Sequence, residues 1–137
     1  MNVVAQKIAS LQRCIVRARA ARVAAGAEFR TDFNLQDAAI LNVIRACELA
    51  IDLANMVIRQ RKLGIPIDSR DSFRILMREK LIPPKMFDRL KGMVGFRNLA
   101  VHQYQDIKLE IVEAILQRDI DELSVFSETV RPLLDAN

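Results

Sequence analysis

The chain has no tryptophan, one tyrosine (Tyr104), one histidine (His102), two cysteines, four glycines and four prolines in 137 residues. With aromatics at 5%, the supply of residues that build and turn β-strands is thin, which argues against a sheet and for helices. Cys14 and Cys47 fall among apolar neighbours with no signal-peptide context. Free buried thiols are therefore expected, with no disulfide framework. A lone histidine argues against most zinc sites, and no Gly-rich phosphate loop or metal-ligand cluster occurs, so neither metal nor cofactor is expected. No stretch approaches the roughly 18 uncharged apolar residues of a membrane span. Met1 to Gln12 also lacks the apolar core of a signal peptide, and the expected setting is the cytoplasm, away from membrane.

What is present is apolar and cationic. Apolar residues make up 51% of the chain, enough for a real core, and the length fits one domain over 1–137. The net charge of +4 is unevenly spread: residues 1–27 hold five bases and no acid, while residues 106–137 hold eight acids against three bases. A basic first helix is a candidate surface for a phosphate backbone, and an acidic last helix is a candidate to pack beside it.

Periodicity predicts an antiparallel bundle of about five helices. Val4, Ile8, Leu11, Ile15 and Ala18 step by four and three, the stripe of a helix over 2–25 that Gly26 ends. Thr31 to Asn34 supply cap and turn residues for a long second helix over 35–62. Along its middle the polar residues form a narrow stripe, Asn42, Arg45, Glu48, Asp52, Asn55 and Arg59, as on a rod touched on most sides. Gly64 to Asp68 breaks it, and Asp68 or Ser69 caps a shorter helix over 70–80. Pro83-Pro84 opens the fourth helix. A loop over 103–106 follows, with Asp106 expected to cap a last helix that Arg131-Pro132 ends.

In the fourth helix Phe87, Leu90 and Val94 step by three and four, and the count continues onto Arg97 and then Val101. A charge at such an inward position is costly unless paired or in a wet cleft. Five residues on stands His102, and two further Tyr104. Arginine is a permanent forked cation suited to phosphate oxygens, and histidine can take or give a proton near neutral pH. Asn98 adds an amide and Tyr104 a phenol. Together they suit RNA scission through the 2′-OH, which needs a base, an acid and charge stabilisation but no metal. The competing reading places Arg97 and His102 near a helix end as favourable cations, with Tyr104 as a packing lid. Spacing alone leaves both open. A regular helix turns Arg97 and His102 about 140° apart, so convergence needs arginine's length, a distortion or a second subunit. Gly92 and Gly95 leave room for another backbone to approach.

The run Arg97-Asn98-Leu99-Ala100-Val101-His102-Gln103-Tyr104 resembles the Arg-x4-His-x-Tyr signature of HepT toxins, a branch of the HEPN helical nucleases. The likeness extends to Arg45-Ala46-Cys47-Glu48 and Ile51-Asp52-Leu53-Ala54-Asn55 in the central helix, and to Leu63-Gly64-Ile65-Pro66 with Asp68 to Phe73 after it. The resemblance implies a homodimer with the motif at a cleft and metal-independent RNA cleavage, with Arg97 and His102 catalytic, Asn98 supporting and Tyr104 binding substrate. It also implies an MNT-type nucleotidyltransferase antitoxin that neutralises the toxin by AMPylation of Tyr104. The alternative from another class is a non-catalytic nucleotide-binding adaptor, a helical dimer partnering a nucleotidyltransferase.

Overall fold

A computed structural model describes residues 2–135, and among these every regular element is helical. The order is α1 (Val3–Ala25), α2 (Phe33–Arg61), α3 (Ser69–Arg78), α4 (Pro84–His102), α5 (Leu109–Ala114) and α6 (Ile120–Asp135). A π turn, Ile115–Asp119, carries α5 into α6, so the last two make one rod and the bundle has the expected five.

Asn2 Oδ1 accepts the amides of Val4 at 2.7 Å and Ala5 at 3.2 Å, satisfying two of the orphan donors that open α1. All five residues of the predicted α1 stripe are buried. Asp32 caps α2 through the Leu35 amide at 3.0 Å, and Asp68 caps α3 through the Asp71 amide at 2.8 Å. α2 is the central rod, in contact with α1, α3, α4 and α6. Ala39, Ala46, Ala50 and Ala54, all fully buried, let those neighbours come close. Its polar stripe divides. Asn55 turns inward to accept the Ser72 hydroxyl at 2.7 Å, while Arg45, Glu48 and Asp52 line an open groove with Arg13 and Arg17 of α1. There the like charges of Glu48 and Asp52 are offset by those arginines and by Lys7, 3.2 Å from Asp52.

The charge asymmetry becomes the seam between α1 and the last rod. Arg19 reaches both the Leu116 carbonyl and Asp121 at 2.8 Å, and Arg22 pairs with Glu113. Gln12 adds a 2.8 Å bond to Ser124. In the core, Phe73 of α3 and Phe126 of α6 meet edge to face, their centroids 5.2 Å apart.

α2 ends where expected, with Lys62 in the left-handed conformation (φ 56°) and the Leu63 amide closing onto the Ile58 carbonyl. Two other expected boundaries move. Asp106 caps nothing: it closes a 3₁₀ turn, Tyr104–Asp106, and the last rod starts after Lys108 without a side-chain cap. Pro132 does not stop α6, which runs on to Asp135 with Leu134 buried. Proline there removes one hydrogen bond, and burial of the following turn keeps the helix going. No helix of the described residues is long and apolar enough to cross a membrane.

Candidate active site

α4 carries the motif on its last two turns. Phe87, Leu90 and Val94 are buried as the spacing requires, and Arg97, next on that line, is half-buried. Val101, expected to continue the line, is 53% exposed because the final turn projects past the core. The Arg97 guanidinium donates to Asn98 Oδ1 at 2.8 Å and to Ser69 Oγ at 3.0 Å. Its Nε is buried without a partner, and no ion pair among the described residues involves it. A buried donor left unsatisfied costs about 1–3 kcal/mol. This arginine is thus oriented by two neutral oxygens, with its charge left uncancelled by any carboxylate.

Ser69 and Arg70 were not visible as site residues in the sequence. Their place follows from α3 lying against α4, so that the first turn of α3 meets the last turns of α4. Arg70 lays its guanidinium over Gly95, with Nη2 3.0 Å from where a β-carbon would stand. The neighbour admitted by Gly95 is therefore a side chain of the same protomer, whereas Gly92 faces open space. A second cation is thereby held against α4 two residues before Arg97.

His102 is exposed at the end of α4, which closes with the Gln103 amide on the Leu99 carbonyl at 2.7 Å. α4 stays helical through His102, so the rotation of about 140° between Arg97 and His102 persists. No hydrogen bond among the described residues joins His102 to Arg97 or Tyr104. Tyr104 turns the other way, and its phenol donates to the carboxylate of Asp37 on α2. Burial, then the hydrogen bond to Asp37 and its negative charge, push the phenol well above its ordinary pKa. Within one protomer the structure thus unites Arg97 with Asn98, leaves His102 free at the helix tip and holds Tyr104 on α2. Asp37 lies 67 residues from Tyr104, and nothing local in the sequence marks it. The thiol of Cys47, pushed up to about 12 by burial, is no nucleophile near neutral pH.

The family model described as "Ribonuclease HepT-like" matches residues 8–130. The chain is similar to the mRNA nuclease HepT of Shewanella oneidensis strain MR-1, 43% identical over 130 residues that cover 95% of this chain and 97% of the relative. Among solved structures it resembles the tri-AMPylated Shewanella oneidensis HEPN toxin in complex with MNT antitoxin, with a TM-score of 0.89 and 43% identity over 96% of this chain and 99% of that one. A toxin-antitoxin structure with AMP-PNP superposes with a TM-score of 0.90 at 42% identity, again over 96% and 99% of the two chains. A family match over residues 8–130, close identity along nearly the whole length and a shared helical bundle make one conclusion: the chain belongs to the HepT-like ribonuclease family.

Proposed function

We propose that the protein is the toxin of a bacterial toxin-antitoxin pair, a cytoplasmic, metal-independent RNA endonuclease whose single helical domain works as a homodimer. The observation that carries this reading is Arg97, half-buried and oriented by Asn98 and Ser69 with no carboxylate to neutralise it. Such a guanidinium is preorganised for an anion, and preorganised charge at a developing phosphorane is usually the largest catalytic term. His102 then takes the 2′-OH proton or returns one to the leaving 5′-oxygen. Tyr104 contacts the substrate. Because Arg97 and His102 diverge around α4, two copies of the motif facing one cleft supply the convergence that one helix cannot. An apolar groove of 440 Å³ along α4, lined in part by Gly92, Phe96, Leu99 and Ile111, is available for the second copy. The partner enzyme is an MNT-type nucleotidyltransferase that attaches AMP to Tyr104, setting phosphate charge where the RNA backbone binds.

The test uses antitoxin-free protein and mRNA in excess EDTA. Cleavage is expected, and its absence from folded protein with unmodified Tyr104 would sink the nuclease reading. Co-production with the nucleotidyltransferase should add AMP mass to the Tyr104 peptide and silence the enzyme, while Tyr104→Phe protein takes up none and stays silenceable only by binding.

Arg70 gives a second, independent outcome. Gly95→Ala gains about 0.5–1 kcal/mol of helix stability but forces the Arg70 guanidinium away by a few tenths of an ångström. Paired thermal melts and RNA-binding titrations should show a higher melting temperature together with weaker binding. Tighter or equal binding would remove Arg70 from the site.

A further inference from the structure

The Asp37–Tyr104 contact is used neither by RNA cleavage as set out above nor by the core. Both side chains are exposed, Tyr104 at 42%, and they join α2 to the 3₁₀ turn that follows α4. A hydrogen bond between exposed groups contributes little to stability, so the contact is poorly suited to serve only as an anchor. It does fix where the phenolic oxygen points, and it places a carboxylate on that oxygen.

We infer that Asp37 is the general base for nucleotidylation of Tyr104: it orients the phenolic oxygen and accepts its proton as that oxygen attacks the α-phosphate of a nucleoside triphosphate. The assignment rests on the reading of Tyr104 as the modified residue. In the step, a bond forms between Tyr104 Oη and the α-phosphorus while the bond from that phosphorus to the bridging oxygen of the β-phosphate breaks. Pyrophosphate leaves with the electron pair, and the phenolic proton passes to the Asp37 carboxylate. The nucleotide comes from the partner transferase, which brings its own means of binding the triphosphate. This chain supplies the nucleophile already hydrogen-bonded to its base. A phenol is a weak nucleophile at neutral pH, and partial desolvation together with the neighbouring carboxylate makes unassisted ionisation of Tyr104 rarer still. Proton removal during attack, by a base already in contact, avoids that ionisation.

The experiment measures initial rates of AMP addition by the transferase and ATP, at saturating transferase, for wild-type, Asp37→Asn and Asp37→Glu proteins across about pH 6.5 to 9.5, with Tyr104→Phe as blank. Asparagine keeps an acceptor oxygen and the side-chain shape but cannot take the proton. Asp37→Asn is expected to react about 10² to 10³-fold more slowly near neutrality, through the turnover rate and not through affinity for the transferase. Its rate should recover by roughly tenfold per pH unit as phenolate forms without help. Wild type should change little over the upper range, and Asp37→Glu should restore most of the rate. An Asp37→Asn rate equal to wild type overturns the assignment. So does a loss of the same size at every pH, which would make Asp37 a structural contact only. Absence of AMP from wild-type protein overturns the modification of Tyr104 itself and takes the role of Asp37 with it. Melting temperatures of the three proteins guard the comparison, and the exposed position of Asp37 predicts that they agree.

Discussion

His102→Ala protein should cleave RNA about 10² to 10⁴-fold more slowly than wild type, the usual cost of removing a proton-transfer group, while remaining as stable. The imidazole is exposed at the tip of α4, so its truncation opens no cavity. The variant loses whatever interaction the ring makes with the helix C-terminus, about 0.3–1 kcal/mol at most. It gains alanine's helix propensity, about half a kcal/mol, and the two nearly cancel. Single-turnover cleavage beside a thermal melt reads both quantities on one preparation. A large rate loss at unchanged melting temperature assigns proton transfer to His102. An unchanged rate removes it from the chemistry and leaves Arg97 without its acid-base partner. If the active cleft is shared between two copies, mixing inactive His102→Ala with inactive Arg97→Ala protein should regenerate part of the activity, since one of the two composite sites then holds both groups.

Phe126→Ala should be the most destabilising single change outside the site, by about 3–5 kcal/mol. The ring is fully buried and meets Phe73 edge to face with an interplanar angle of 82°. Its removal takes away transfer energy, leaves a cavity, and ends an aromatic contact worth about 0.5–1.5 kcal/mol on its own. For a chain of this size the melting temperature should fall by roughly 10 °C or more. Urea unfolding checks it: the midpoint drops and the slope stays, because the unfolded surface is unchanged. Phe126→Leu, which retains much of the volume, should lose markedly less. The substitution also reaches the site, since Phe73 is on α3, and α3 carries the Ser69 hydroxyl that orients Arg97.

The helices were legible because their signals are local. The α1 stripe, the caps Asp32 and Asp68, and the inward position of Arg97 each follow from neighbours within a turn or two. Opposed charges also forecast the seam where Arg19 meets Asp121 and Arg22 meets Glu113. Errors arose where a local signal is conditional. Proline ends a helix only if nothing downstream needs it, and Leu134 is buried beyond Pro132. Val101 matched the apolar count but lies past the edge of the core. The π turn left no trace in the spacing: Val112, Leu116 and Ile120 step by four twice running, but so do the buried Ala46, Ala50 and Ala54 of the regular α2. Of the site, Arg97 stood out by its conflict with the apolar pattern. Ser69 and Asp37 did not, because they lie 28 and 67 residues from the groups they touch, and sequence spacing carries no information at that range.

The union of α1 with α6 also bears on when the protein becomes dangerous to the cell that makes it. Gln12 and Ser124, bonded across that seam, are 112 residues apart, so the first helix synthesised must wait for nearly the last. Phe73 waits as well, for Phe126. A growing chain therefore carries Arg97 and His102 away from the ribosome before the frame that aims Arg97 exists. Competence as a ribonuclease arises only after translation of the chain is essentially finished, which separates the act of synthesis from the act of cleavage in time.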